Sequence, residues 1–226
     1  SPRIFAAFPL ALRATDGVTQ HLQLIGVHLP AQPSAADITF SDSNVSAKAV
    51  DSADESTISL SLEVGANTAI GPLQVELRDI PVDVPVTIFD KLDGIRIFPA
   101  LGRARISSGA AYPPQGVHFV ARGVAFGPDR KQGTPDDLYL EPLQARWWLE
   151  EESTRDDDDD LQHLRAPILN GLYTPATDYG PIATRFQNRE GVGLIAVGAS
   201  FAENGRELKD RALLAVTSPD FVPHIK

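Results

Sequence analysis

The chain is 226 residues long, with a formal net charge of −10 at pH 7, 42% hydrophobic and 22% charged residues, no cysteine and no methionine. That length allows one or two globular domains with sizeable cores, and an acidic balance with scattered Lys and Arg excludes nucleic-acid and anionic-membrane surfaces. Zero cysteines exclude disulfides, thiolate metal sites, cysteine nucleophiles and c-type haem attachment, and no apolar run approaches the ~20 residues that span a bilayer, so no membrane insertion is expected.

Without a methionine, Ser1 is not expected to be a translated start. The first 87 residues read as short strands with frequent turns. Ile4, Phe5 and Phe8 open an apolar strand that stops at Pro9, and Leu22, Leu24 and Ile25 form a second, broken by Gly26. Ile58, Leu60, Leu62 and Val64 alternate strictly with Ser59, Ser61 and Glu63, the period of two that marks a half-buried strand. Leu73, Val75 and Leu77 repeat it after an Ile70-Gly71-Pro72 turn. Strands about a dozen residues apart, with turn residues between them, predict a β-sandwich. Pro81 and Pro85 fit an edge strand or connector but not a central strand, and set the domain boundary at about residue 87.

The second module, residues 88–226, continues the pattern. Ile95 and Ile97 alternate up to Pro99, and Val117, Phe119 and Ala121 alternate with an outward His118. Gly191 to Ala199 reads as a buried strand in a Gly-rich setting, and Ala212 to Thr217 as the final strand. Residues 150 to 165 have room for a short helix, although a run of aspartates is a poor helix former. The expectation is an all-β protein, two immunoglobulin-like β-sandwich domains in tandem, 1–87 and 88–226.

Between those strands lies the stretch with the most chemistry. Phe126-Gly127-Pro128-Asp129-Arg130-Lys131-Gln132-Gly133-Thr134-Pro135-Asp136-Asp137 is a turn-rich polar loop, followed by Leu138-Tyr139-Leu140 and by Ala145-Arg146-Trp147-Trp148-Leu149-Glu150, which holds both tryptophans of the chain. Its glycines and prolines rule out a regular helix. Asp129, Asp136 and Asp137 supply hard oxygen ligands on a flexible turn, as a Ca²⁺ site would. The spacing is not that of an EF-hand, and turn aspartates commonly bond their own backbone. Both readings stay open. Trp147 and Trp148 must face opposite sides of a strand; one is expected in the core, the other against a neighbouring domain or at a partner interface. Asp156 to Asp160 is a run of five aspartates, expected to be a solvated loop, with cation capture or docking to a basic partner as the functional alternative.

None of His21, His28, His118, His163 and His224 has a metal-ligand spacing, and His118 is expected to be structural. No Gly-x-Ser-x-Gly elbow and no Gly-x-Gly-x-x-Gly cradle occurs. A self-sufficient hydrolase would need a nucleophile–base pair that the sequence does not display.

The Phe126–Asp137 loop and the Trp strand after it resemble the α subunit of quinohemoprotein amine dehydrogenase, whose pattern is similar to Asn-Gly-Pro-Asp-Gly-Lys-Pro-Gly-Thr-Ala-Asp-Asp; here Arg130 stands at the middle glycine. Phe89-Asp90-Lys91-Leu92-Asp93-Gly94-Ile95, Pro99-Ala100-Leu101-Gly102-Arg103-Ala104-Arg105-Ile106, Asn170-Gly171-Leu172-Tyr173-Thr174-Pro175-Ala176 and Gly191-Val192-Gly193 extend the likeness. The opening phrase and Gly71-Pro72-Leu73-Gln74-Val75 resemble an immunoglobulin-like module of the IPT/TIG type. The resemblance implies a periplasmic assembly in which a dihaem cytochrome domain, a small subunit with a cysteine-crosslinked tryptophylquinone and a β-propeller subunit surround such β-domains. This chain lacks Cys-x-x-Cys-His and any cysteine for the quinone crosslink. The expectation is therefore a non-catalytic scaffold subunit or fragment with no catalytic or cofactor-binding residue of its own. Haem c and tryptophylquinone are expected on partner chains or a missing domain. The alternative is a free-standing extracytoplasmic binding module, calcium-stabilised at the acidic loop, that recognises a carbohydrate or another extracellular protein.

Overall fold

Period-two patterning becomes structure first in the N-terminal part of the chain. The computed structural model describes residues 1–107, 112–164, 166–175 and 191–219. Over them the chain is built of strands, with a four-residue α-helix and a 3-10 turn, Ala35–Asp37. It divides into two units, Ser1–Lys91 with Ala125–Leu138, and Leu92–Val124 with Tyr139–Lys226.

The first unit contains β1 (Arg3–Phe8), β2 (Ala11–Arg13), β3 (Thr19–Val27), β4 (Ile38–Phe40), β5 (Val45–Ala53), β6 (Thr57–Val64), β7 (Gly71–Leu73), β8 (Val75–Leu77), β9 (Ile80–Pro81) and β10 (Val86–Phe89). One sheet runs β1-β3-β6-β5; facing it are β2-β10-β7 and β4-β8-β9. Ile58, Leu60, Leu62 and Val64 on β6 are all 0% exposed. They meet Leu12, Leu73, Val75, Leu77, Val86 and Ile88 from the opposite side in one core. A one-residue slip of β6 would turn all four into solvent, so burial fixes the register; each contributes roughly 1.5–3 kcal/mol.

Three expectations need correction here. Gly26 does not break its strand: β3 runs through it, opposite Ile4. Gly71 and Pro72 are not a turn but pair with Ile88 and Thr87. Leu73, Val75 and Leu77 do not share one strand. At Gln74 the chain leaves the sheet with β10 for the sheet with β4, and the Gln74 side-chain Nε2 donates to the Val82 carbonyl at 2.9 Å to secure the crossing. Pro81 does fall on a sheet edge.

The second unit contains, but for the end residues Ala125 and Leu138, β11 (Gly94–Phe98), β12 (Leu101–Arg105), β13 (Val117–His118), β14 (Val120–Ala125), β15 (Leu138–Pro142), β16 (Arg146–Glu151), α1 (Asp160–His163), β17 (Ile168–Leu169), β18 (Leu172–Tyr173), β19 (Gly193–Glu203) and β20 (Arg206–Thr217). Its sheets are β11-β14-β15, β12-β20-β19-β16 and the small β13-β18-β17. Ile95, Ile97, Phe119 and Ala121 are buried from one side; Ala104, Ile195, Val197, Ala212, Leu214 and Val216 are buried from the other. The expected Val117–Ala121 strand divides at Phe119, whose amide bonds the Gly171 carbonyl at 2.7 Å instead of continuing a ladder. His118 is exposed, as its alternation requires. His224 and part of the 150–165 stretch, Arg165, lie outside the described residues.

The two units share a device. In each, the opening strand (β1 or β11) pairs antiparallel in one sheet, a proline follows (Pro9 or Pro99), and the next strand (β2 or β12) pairs parallel with the closing strand of the other sheet (β10 or β20). Proline has no N–H with which to continue the first ladder, which makes it the natural point for a strand to change sheets. These are immunoglobulin-like β-sandwiches.

Candidate functional site

The acidic loop belongs to the first unit and is organised by its own backbone. The Asp129 carboxylate accepts from Lys131 N at 2.8 Å, that of Asp137 from Gly133 N at 2.7 Å, and that of Asp136 from Asp129 N at 3.3 Å. Thr134 Oγ1 sits among all three, 2.7 Å from Asp136 Oδ1, 3.3 Å from Asp129 Oδ1 and 3.4 Å from Asp137 Oδ1. The Lys131 carbonyl also lies 3.0 Å from this oxygen; one hydroxyl proton cannot serve four acceptors, and Asp136 Oδ1 is the nearest of them. The Thr134 hydroxyl, then the Asp129 amide, hold the Asp136 carboxyl below its ordinary value. The structure thus gathers Asp129, Asp136 and Asp137 into one turn.

Arg130 has φ 58°, a left-handed conformation costly for any residue with a Cβ. Its guanidinium grips Asp90 two-pronged, at 2.9 and 2.7 Å, and holds that carboxyl below its ordinary value. The fork pins the loop to the end of β10.

Trp147 and Trp148 stand on β16, the edge of its sheet, opposite Ala199 and Gly198. They do face opposite sides, but neither reaches the fully buried core. Trp148 packs directly on Gly198, where a Cβ would stand 2.1 Å from its Cε2 and 2.4 Å from its Nε1. Its Nε1 donates to Glu150 Oε2 at 2.9 Å. Glu150 Oε1 accepts from Arg211 Nε at 2.7 Å, and Arg211 also reaches Glu152. The Trp148 bond, then Arg211, holds Glu150 below its ordinary value. On the other side Trp147 closes over Gly171, where a Cβ would sit 3.2 Å from its Cζ2.

The aspartate run is not a wholly solvated loop. Asp156 and Asp157 are exposed, but Asp160 is only 4% exposed. Asp160 accepts from Leu194 N at 2.9 Å, and Arg155 Nη2 lies 3.3 Å from both Asp158 and Asp160. Thr154 N and Oγ1 bond Asp158 at 3.0 and 2.8 Å. Oxygens of Asp158, Asp159 and Asp160 lie within 4.8 Å of one another. The short helix α1 begins here, and His163 approaches Asp159 at 3.5 Å. Charge density suggested water; one arginine and two backbone amides hold Asp158 and Asp160 instead.

Sequence reasoning missed a Ser–His–Asp grouping on adjacent strands. Ser61 Oγ lies 3.3 Å from His21 Nδ1 and 2.8 Å from Asp51 Oδ2, and Asp51 lies 3.6 Å from the same His21 nitrogen. Register across β3, β6 and β5 was the only signal, and separations of 40 and 10 residues hide it. The grouping is not a triad. Asp51 takes the serine proton itself, both partners meet one imidazole nitrogen, and the His21 side chain is 74% exposed on an open sheet face.

Together these features define an acidic immunoglobulin-like β-sandwich protein whose charged groups brace loops and sheet edges. Among the described residues no helix is long and apolar enough to cross a membrane. The family model described as quinohemoprotein amine dehydrogenase, alpha subunit domain IV, matches residues 95–225, more than half of the chain, and the chain belongs to that family. No curated protein sequence matches it. Among solved structures it is similar to mouse protocadherin-24 EC1-3 (12% identity, TM-score 0.34, 97% of this chain and 65% of that one), to domains 5-6 of the S-layer protein SbsC (10%, 0.26, 97% and 100%) and to tandem Ig repeats of Dlar (12%, 0.25, 96% and 95%). Likenesses this distant bear on nothing but chain geometry. The family's name implies haem and quinone. With no cysteine, this chain has neither a thioether anchor for c-type haem nor a thiol for a tryptophylquinone crosslink.

Proposed function

We propose that this chain is a non-catalytic scaffold, a subunit or fragment of an amine dehydrogenase-like periplasmic complex, that holds quinone-bearing and haem-bearing partners. The family match over residues 95–225 carries this reading, and the absence of cysteine supports placing the redox groups on other chains. The edge strand β16, with Trp147 and Trp148, is the proposed contact: it ends its sheet in half-buried aromatics, and aromatic residues are enriched where partners meet. Affinity capture from the native periplasm tests this. Co-elution of a quinone-bearing or haem-bearing chain is expected, and recovery only as a lone monomer opposes it.

A second reading, the calcium-stabilised binding module, is favoured by the convergence of three carboxylates on Thr134. All three already serve backbone amides of the loop, so we infer that their main work is to hold the turn. Melting with and without EDTA separates the two. An unchanged melt is expected; a site kept at about 100 times its dissociation constant would instead add roughly 2.7 kcal/mol.

A further inference from the structure

We propose that the second unit carries a binding site for a neutral pyranose ring, in a cavity walled by Trp147. The cavity, about 410 Å³, opens beside β13 and β14, the β15–β16 connection and the β17–β18 turn, and ligand sites run from about 300 to 1,000 Å³. Trp147, Phe119 and Leu143 give it apolar walls; His118, Gln144 and Asn170 give it a polar rim. Among the described residues that line it there is no Lys, Arg, Asp or Glu.

The rim has unspent bonding capacity. Among the described residues, the His118 ring, the side-chain amides of Gln144 and Asn170 and the indole N–H of Trp147 make no hydrogen bond within the chain. The sister residue Trp148 does spend its N–H, on Glu150. Several donors and acceptors converging on an apolar hollow are what fixes a ligand's orientation.

Charge decides the ligand class. An ammonium or carboxylate entering here would lose hydration and find no counter-charge among the described lining residues. A pyranose would not: its C–H face suits the indole, and its hydroxyls both donate and accept, as the two amides and the imidazole do. The site rests on the cavity and not on the scaffold reading, but it shares Trp147 with the proposed partner contact, so it is tested on the chain free of partners.

The test is an amide and indole NMR titration of the whole chain with methyl glycosides of glucose, galactose and N-acetylglucosamine, and with cellobiose. At least one should shift the Trp147 indole signal and the Gln144 and Asn170 side-chain amides, saturating in the millimolar range. Gln144→Ala, on an exposed connection, should weaken binding about three- to tenfold while the spectrum stays dispersed. No shift with any glycoside overturns the site. So does an unchanged affinity in Gln144→Ala, or benzylammonium or acetate shifting these signals where the glycosides do not. Failure of partner capture would leave this result untouched, and the reverse also holds.

Discussion

Arg130 shows what a single position can cost and return. Its φ of 58° carries a steric penalty of about 1–2 kcal/mol, offset in part by the two-pronged grip on Asp90, an exposed pair contributing up to about 1 kcal/mol. Arg130→Gly removes both and should leave stability within about 1 kcal/mol of wild type; Arg130→Ala keeps the penalty and should be less stable than the glycine variant by about 1 kcal/mol. Chemical denaturation of the pair checks the ranking. Tyr173 offers the opposite case. It is 0% exposed, its hydroxyl has no partner among the described residues, and burial pushes the phenol up to about 12 from 10.0. A raised pKa means stability present below pH 10.0 and lost as pH rises toward 12. Tyr173→Phe should gain about 1 kcal/mol at neutral pH and flatten that alkaline decline, measured by urea melts from pH 8 upward. Neither feature was legible in the sequence. Backbone sign at Arg130 and the missing partner at Tyr173 are properties of the folded neighbourhood.

Among the elements, β16 and β19 depend on a glycine. Gly198 provides the bed on which Trp148 rests, opposite Arg211 on β20. Gly198→Ala should cost about 1–3 kcal/mol through overpacking and break the Trp148–Glu150 bond, which indole NMR would register; an unshifted indole signal would contradict the packing. Strands with strict alternation were readable because burial on one face enforces it, as on β6. The breaks at Gln74 and Phe119 were not, because an apolar period says which residues are buried but not against which sheet. Two hairpins were announced more loudly than the sequence reading used. Asn170-Gly171 and Asn204-Gly205 each join paired strands with both residues at positive φ, 49° and 81°, then 45° and 78°, the two-residue turn that such dipeptides favour. The aspartate run was misjudged because its partners, Arg155 and the Leu194 amide, are recognisable only once β19 is in place.

For the whole molecule, charge sets the acid limit. Asp42, Asp54, Asp90, Asp136 and Asp158 lie below 3.8 and Glu150 below 4.5, each through hydrogen bonds or ion pairs of the folded state. The folded chain binds fewer protons than the unfolded one, so stability should hold above about pH 5 and fall as pH drops through about 4. Relief of the −10 net charge acts in the other direction, but long-range repulsion is screened at ~0.15 M salt while the local bonds are not; melts from pH 3 to 7 decide. The central claim concerns what two cysteine-free sandwiches hold. Light scattering on a size-exclusion column, with the chain mixed with the quinone-bearing and haem-bearing subunits of an amine dehydrogenase of this family, addresses that most directly. The account predicts one peak at the summed mass carrying haem absorbance; separate peaks at the component masses would contradict it.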